Sequence, residues 1–388
     1  MTHKILVTDA AQRKSVPIIR ALGRAGIHLV CGESARYSMG FYSKYCRKSY
    51  IYPDPEKEDD FIEWLIDQAK QGVFSILFPI DERTMTPVTR HLATLQQYML
   101  VPVVDYQTYM MAHDKAKTIE MAEKYGVPIP KTWWFSTLDQ FHDRRNEIEM
   151  PCIIKPRISS GSRGLRYINE RDALERGFLE IHQKYPYPLI QDCLPPGGAT
   201  LGVEFLLNHG KVTAFFMHRR LREYPVTGGP STLRESAYDK DLIEMASRLL
   251  CSMGWHGVAM VEFKVDPRDQ VAKLMEINPK FWGSIALPIF AGVNFPHLLY
   301  QLAVGELPFE SPPIYRYPVR CRWLIPGDIL HFIANPNRFQ LHPSFFDFRG
   351  ESDDLIDRND LGPLYGMFLS FLSQVFTENI WKKYIGRE

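Results

Sequence analysis

Two acidic positions that face each other across a hairpin are the first chemistry this chain offers. Residues 258–265 (VAMVEFKV) and 271–278 (VAKLMEIN) read as strands, joined by the turn-rich stretch Asp266, Pro267, Arg268, Asp269 and Gln270. Centred on Asp269, the hairpin sets Glu262 opposite Glu276, with Asn278 two residues further along the same face. Like charges held opposite each other destabilise a sheet unless something positive sits between them. Two carboxylates and an amide are hard oxygen ligands that suit Mg²⁺ or Mn²⁺. Taken alone, the segment reads equally well as two solvated carboxylates on an exposed face.

A phosphate-type element upstream shifts that balance. Residues 152–156 (CIIKP) read as a short buried strand ending in Lys155, followed by Ser159, Ser160, Gly161, Ser162, Arg163 and Gly164 and a second strand over 165–168. A Gly/Ser-rich turn brings backbone N–H groups close to phosphate oxygens, and the lysine adds a compact positive charge. No GK[ST] precedes a helix here, so this is not a Walker A loop, nor is it the GxGxxG turn of dinucleotide-binding folds. Any surface turn has a similar composition. Joined to a downstream diacid hairpin, the element points to a Mg·nucleotide site.

The series formed by Lys115 in HDKAKTIEMAEKYGVPIP, Lys155 in CIIKPRISSGSRGLRYI, then LIQDCL, GVAMVEFKVD and LMEINPKFWGS resembles the ATP-grasp superfamily over residues 1–305. It is most similar to the branch of biotin carboxylase and the carbamoyl-phosphate synthetase large subunit, and within it to stand-alone carboxylate–amine ligases. The resemblance implies that Lys115 and Lys155 hold the nucleotide phosphates and that residues 159–164 form the lid over them. It implies that Gln191, Asp192 and Leu194 receive adenine and ribose at an interlobe hinge, and that Glu262, Glu276 and Asn278 are the metal ligands. ATP and Mg²⁺ (or Mn²⁺) are the implied cofactors, and a small carboxylate and an amine the implied substrates. One departure stands out. The family often has Asn-Pro-Arg after the last acid, where this chain has Asn278, Pro279 and Lys280. Lysine keeps the charge but loses the bidentate fork, so Arg219, Arg220, Arg222 or Arg234 is expected to supply it.

These residues need a scaffold of two or three domains, which 388 residues allow. Strands over 4–8, 27–31, 75–79 and 99–104 alternate with helices over 15–25 and 84–95, so the expected class is α/β. The resemblance implies that residues 1–108 are a Rossmann-like pre-ATP-grasp domain, and that an α+β ATP-grasp domain over 109–305 divides into a small lid lobe (109–188) and a metal-binding lobe (189–305). The turn over 9–15 lacks glycine and does not suit a dinucleotide. Asp81 and Glu82 follow a strand end, where open sheets place ligands; an acidic cap on the next helix is the favoured reading. Lys115 sits in the first turn of a helix over 113–125, where only the family match distinguishes it from a surface lysine. The stretch 217–236 gathers Arg219, Arg220, Arg222 and Arg234 around Pro225, Gly228, Gly229 and Pro230. It reads as a glycine-hinged loop that grips an anionic substrate, in preference to a solvated connection.

Lys+Arg number 46 and Asp+Glu 45, a formal charge of +1 that argues against a nucleic-acid or other polyanion binder. Six scattered cysteines without a CxxC motif fit reduced thiols, and no run of about 18 apolar residues appears. A cytoplasmic protein is the expectation. In the aromatic-rich extension over 306–388, residues 364–384 space Leu364, Phe368, Phe371, Leu372, Val375, Phe376 and Trp381 at helical intervals. Packing on the body or in a homodimer is the favoured use of that stripe, with membrane contact the lesser reading. The function expected is an ATP-dependent carboxylate–amine ligase working through an acyl phosphate. Kinase-like transfer to a hydroxyl and a non-catalytic ATP-binding regulator are the rivals.

Overall fold

Strands and helices alternate at the start of the chain, as the sequence predicts. The structure is a computed structural model that describes residues 3–159, 164–307 and 312–376. β1 (Lys4–Val7), β2 (His28–Glu33), β3 (Ser49–Ile51) and β4 (Ile76–Phe78) form a parallel sheet in the order β3-β2-β1-β4. Side-chain alternation buries both faces of β1. Ile5 and Val7 pack against Ile18, Ile19 and Leu22 of the helix Ser15–Arg24, while Leu6 packs against Phe61 and Leu65 of Glu58–Lys70. The strand expected over 99–104 reduces to a bridge between Ile76 and Leu100, because Pro102 withholds an N–H from the ladder.

A small antiparallel sheet follows: β5 (Thr132–Trp133), β6 (Cys152–Lys155), β7 (Arg166–Ile168) and β8 (Leu189–Asp192), in the order β5-β8-β6-β7. Phe141 and Phe178, stacked at 4.0 Å, bring the helices Leu138–Arg144 and Leu174–Lys184 onto it.

The largest sheet carries the diacid. Its strands are β9 (Thr200–Asn208), β10 (Lys211–Glu223), β11 (Ser231–Ser236), β12 (Gly257–Val265), β13 (Ala272–Asn278), β14 (Arg320–Arg322) and β15 (Glu351–Asp353), ordered β13-β12-β9-β10-β11-β14-β15. One face buries Val203, Phe205, Val261 and Phe263 under the helix Lys240–Ser252. The other carries Leu206, Phe216 and Met260 into a core shared with the N-terminal sheet and the helices Ala286–Ala291 and Phe295–Ala303.

Two expectations need correction. The stretch 217–236 is no loop: it is the β10–β11 hairpin, and only residues 224–230 turn. Gly228 has φ +136°, and a Cβ on Gly229 would stand 2.2 Å from the Tyr224 carbonyl, so both glycines serve the tight reversal. Residues beyond 305 are also more than an appendage, since β14 and β15 lengthen the large sheet. Arg20 donates to Asp360 at 3.0 Å, and Arg24 pairs with Asp357, tying that segment to the N-terminal unit. The last helix is Gly362–Phe376. It docks by its glycine face, where a Cβ on Gly362 would lie 1.8 Å from the Tyr42 carbonyl oxygen, while Phe368 and Phe371 of the expected packing stripe are exposed. Trp381 lies outside the described residues. Among those described, no helix is long and apolar enough to cross a membrane.

Candidate active site

The β12–β13 register pairs Glu262 with Glu276, and Asn278 with Met260, as the hairpin reading requires. Glu262 also pairs with Gly202 on β9, and Gly202 with His218 on β10. Glu276, Glu262, Gly202 and His218 therefore form one row across the sheet, on the face toward the N-terminal unit. The Asn278 amide donates to Glu276 Oε1 at 3.2 Å, and Arg220 reaches across from β10 to pair with Glu262. Burial, and then the facing Glu276, push Glu262 above the usual carboxylate range despite Arg220.

The lysines converge on the same place from the other sheet. Asp114 caps the helix Lys115–Lys124 by accepting from the Ala116 N–H, which sets Lys115 at the first helical position. Its Nζ donates to the Ser159 carbonyl at 2.6 Å and stands 3.7 Å from Glu276 Oε2, linking the glycine turn to the diacid. Lys155 is buried at the end of β6 and donates to Gln191 Oε1 at 2.6 Å. Burial, and then neighbouring Lys115, pull Lys155 down to about 8. Gly164 closes the turn at φ +74° with no room for a Cβ beside Pro156. Ser160, Gly161 and Ser162 lie outside the described residues. Gln191 donates in turn to Thr132, Asp192 pairs with Arg268 at 2.6 Å, and the Leu194 carbonyl accepts from Lys264 at 3.4 Å. Asp192 thus arrives already engaged.

The four arginines do not act as a group. Arg220 alone lines the cleft beside the diacid. Arg219 points to the opposite face, half-exposed against Glu235. Arg222 is buried beside Asp328 at 3.2 Å, and Arg234 is buried against Asp354, so both serve contacts with the C-terminal segment. Lys280 does enter the cleft, paired with Glu82 at 3.2 Å. The Asp81 side chain makes no cap bond; it pairs with Lys14 at 2.6 Å. Burial would raise Asp81, but Lys14 and Lys280 together hold it at about 2. Asp81 and Glu82 do stand at the N-cap position and in the first turn of the helix Glu82–Arg90, as expected, but their side chains pair with lysines. Burial lowers His113, 3.4 Å from Glu82, to about 4, so it is neutral at physiological pH.

The resulting cleft, about 310 Å³, brings together Lys14, Asp81, His218, Arg220, Glu262, Glu276, Asn278 and Lys280. A family model described as ATP-grasp in the biosynthetic pathway with Ter operon matches residues 189–325, which span β8 to β14. The D-aspartate ligase of Enterococcus faecium is 22% identical over 293 residues, 69% of this chain and 69% of that protein. Among solved structures, the biotin carboxylase domain of Hydrogenobacter thermophilus 2-oxoglutarate carboxylase, in complex with MgADP and bicarbonate, matches at TM-score 0.66. It is 16% identical and covers 82% of this chain and 73% of that one. Over residues 189–325 the chain matches the ATP-grasp family. The L-amino acid ligase of Bacillus licheniformis has the same fold, at TM-score 0.62 and 16% identity, over 82% of this chain and 80% of that one.

An ATP-grasp site needs a divalent cation and a nucleotide, and the residues present fit both. Two opposed carboxylates and an amide oxygen on one sheet face, with burial already penalising the Glu262 charge, form a hard donor set that a cation would relieve. Lys115, bonded to Ser159, and Lys155 are positive charges that would suit nucleotide phosphates. Sequence reasoning missed Arg13, Lys14 and His218. The first two lie in the turn after β1, whose position at a strand's C-terminal end was the available signal. His218 donates to or accepts from Glu204 at 2.5 Å, and its ring covers Gly202, where a Cβ would stand 2.4 Å away. The second Glu204 oxygen is buried without a partner among the described residues.

Proposed function

We propose that the protein joins a small carboxylate, such as an amino acid, to an amine through an acyl phosphate. The observation that carries this reading is the meeting of Lys115 with both Ser159 and Glu276, which sets the start of the Gly/Ser-rich segment beside the carboxylate–amide donor set. Likeness to the D-aspartate ligase supports an amino-acid substrate. In this mechanism Lys115 and Lys155 hold the nucleotide phosphates, and Gln191 fixes Lys155 from below. Glu262, Glu276 and Asn278 would hold Mg²⁺, which supplies charge neutralisation on the phosphates. A substrate carboxylate oxygen attacks the γ-phosphorus and the bond to the β-phosphate oxygen breaks, releasing ADP. The amine then attacks the acyl carbon, the C–O bond to phosphate breaks, and the nitrogen gives up a proton. Arg220 and Lys280 border the reacting end and neutralise the carboxylate and the departing phosphate.

The test is an incubation with Mg·ATP and a library of amino acids and dicarboxylates, with mass spectrometry of the products and hydroxylamine as a trap. An amide with a native amine, and a hydroxamate with hydroxylamine, are expected from the same carboxylate. Phosphate transfer to a stable phosphorylated product without hydroxamate refutes the acyl phosphate in favour of a kinase. Absence of nucleotide turnover across the library refutes catalysis.

A further inference from the structure

We infer that the cleft takes a substrate with two carboxylates, and that Arg13 holds the one that does not react. This inference rests on the ligase reading for which carboxylate reacts, but the binding it asserts is separate. Arg13 leaves the turn after β1 and lies over the Trp323 ring, 4.2 Å from its centroid, while lining the same cleft as Glu262 and Glu276. A Cβ on Gly283 would stand 3.0 Å from Arg13 Nη2, so glycine there leaves the guanidinium its place. Nη1 pairs with Asp354, whereas Nε and Nη2 have no hydrogen-bond partner among the described residues.

The pairing of the cleft cations is what singles this arginine out. Lys14 has Asp81, Lys280 has Glu82 and Arg220 has Glu262. Arg13 must share Asp354 with Arg234, which is fully buried and whose Nε and Nη1 find no partner. Adjacent Asp353 adds negative charge nearby, but its carboxylate accepts from the backbone N–H groups of Leu324, Leu355 and Ile356 and does not occupy Nε or Nη2 of Arg13. Burial, and then Arg234, pull Arg13 down to about 9, so it stays charged at neutral pH. A free N–H fork on a charged guanidinium matches the planar geometry of a carboxylate. The neutral side chains of Gln12, Ser231 and Ser284 line the same cleft, and its 310 Å³ suits a substrate of amino-acid size. With the metal-type ligands and Arg220 also lining that cleft, one carboxylate of a diacid would react there while the other sits on Arg13.

The test reads binding without turnover. With Mg²⁺ and a non-hydrolysable ATP analogue present, succinate, glutarate, aspartate and glutamate (both enantiomers) are titrated calorimetrically against their monoamides. At least one diacid is expected to bind about 10- to 100-fold tighter than its monoamide, the range for a charge-assisted pair. Arg13→Gln should shrink that preference to about threefold or less, and Arg13→Lys should restore only part of it. Because Arg13→Gln also breaks the Asp354 pair and can weaken the fold, the wild-type diacid-to-monoamide ratio stands as an independent readout. Equal binding of diacids and monoamides, no diacid binding at millimolar concentration, or a preference that survives Arg13→Gln overturns the inference. Selective, Arg13-dependent binding without any amide product would refute the ligase reading and leave the subsite standing. Ligation of monoacids without diacid preference would do the reverse.

Discussion

Replacing Glu276 by glutamine should move stability in opposite directions with and without metal. The two acids face each other, 13% and 30% exposed for Glu262 and Glu276. At an effective dielectric of about 20, unit charges about 5 Å apart repel by about 3 kcal/mol. Arg220 pairs with Glu262, and Lys115 stands 3.7 Å from Glu276, so the net repulsion left is on the order of 1 kcal/mol. Without metal, Glu276→Gln should therefore match wild type or raise Tm by about 2 °C. With Mg²⁺ and an ATP analogue at about 100 times Kd, wild type gains about 2.7 kcal/mol, or about 5 °C, and the variant should lose most of that gain. Thermal melts in EDTA and in Mg·analogue, with turnover measured alongside, give both signs. A variant that keeps the wild-type metal-dependent shift and turnover refutes the metal assignment. One that loses several degrees in EDTA shows Glu276 to be structural.

Lys155, held near 8 by burial and Lys115, is charged at neutral pH and loses its proton above about 8. Phosphate binding needs the charged form, so metal-free ATP affinity should weaken toward tenfold per pH unit as pH rises past 8, and Lys155→Met should abolish the slope; a flat wild-type profile from about pH 7 to about 9.5 counts against Lys155 as a phosphate ligand. Asp328 sits between Arg222 (3.2 Å) and Arg322 (3.3 Å), all three buried. Asp328→Asn should cost about 3–5 kcal/mol in denaturant unfolding while leaving the KM for ATP unchanged, whereas Arg220→Ala should change kinetics and, by uncovering the Glu262–Glu276 repulsion, cost only about 1–2 kcal/mol. If Asp328→Asn instead raises KM and spares Tm, the buried pair belongs to the site.

What the sequence disclosed, and what it hid, follows the range of the contacts. The diacid hairpin and the Lys155 turn are set by residues a few positions apart, and periodicity and turn chemistry read them at once. The β10–β11 hairpin was misread because Pro225, Gly228, Gly229 and Pro230 dominate its composition. A register shift between Arg220 and Arg222 also breaks the two-residue alternation that would have exposed the strand. β14 and β15 are three residues each, too short to carry a period. Arg222 and Arg234 looked like free cations because Asp328 and Asp354 lie more than a hundred residues downstream, and no local pattern announces such a partner. The same long-range closure brings Trp323 and Asp354 against Arg13. Local sequence therefore reveals the half of this site proposed to handle phosphates, because hairpins build it. The half proposed to select the substrate is assembled from the first turn and the last strands, and it exists only once the chain has folded.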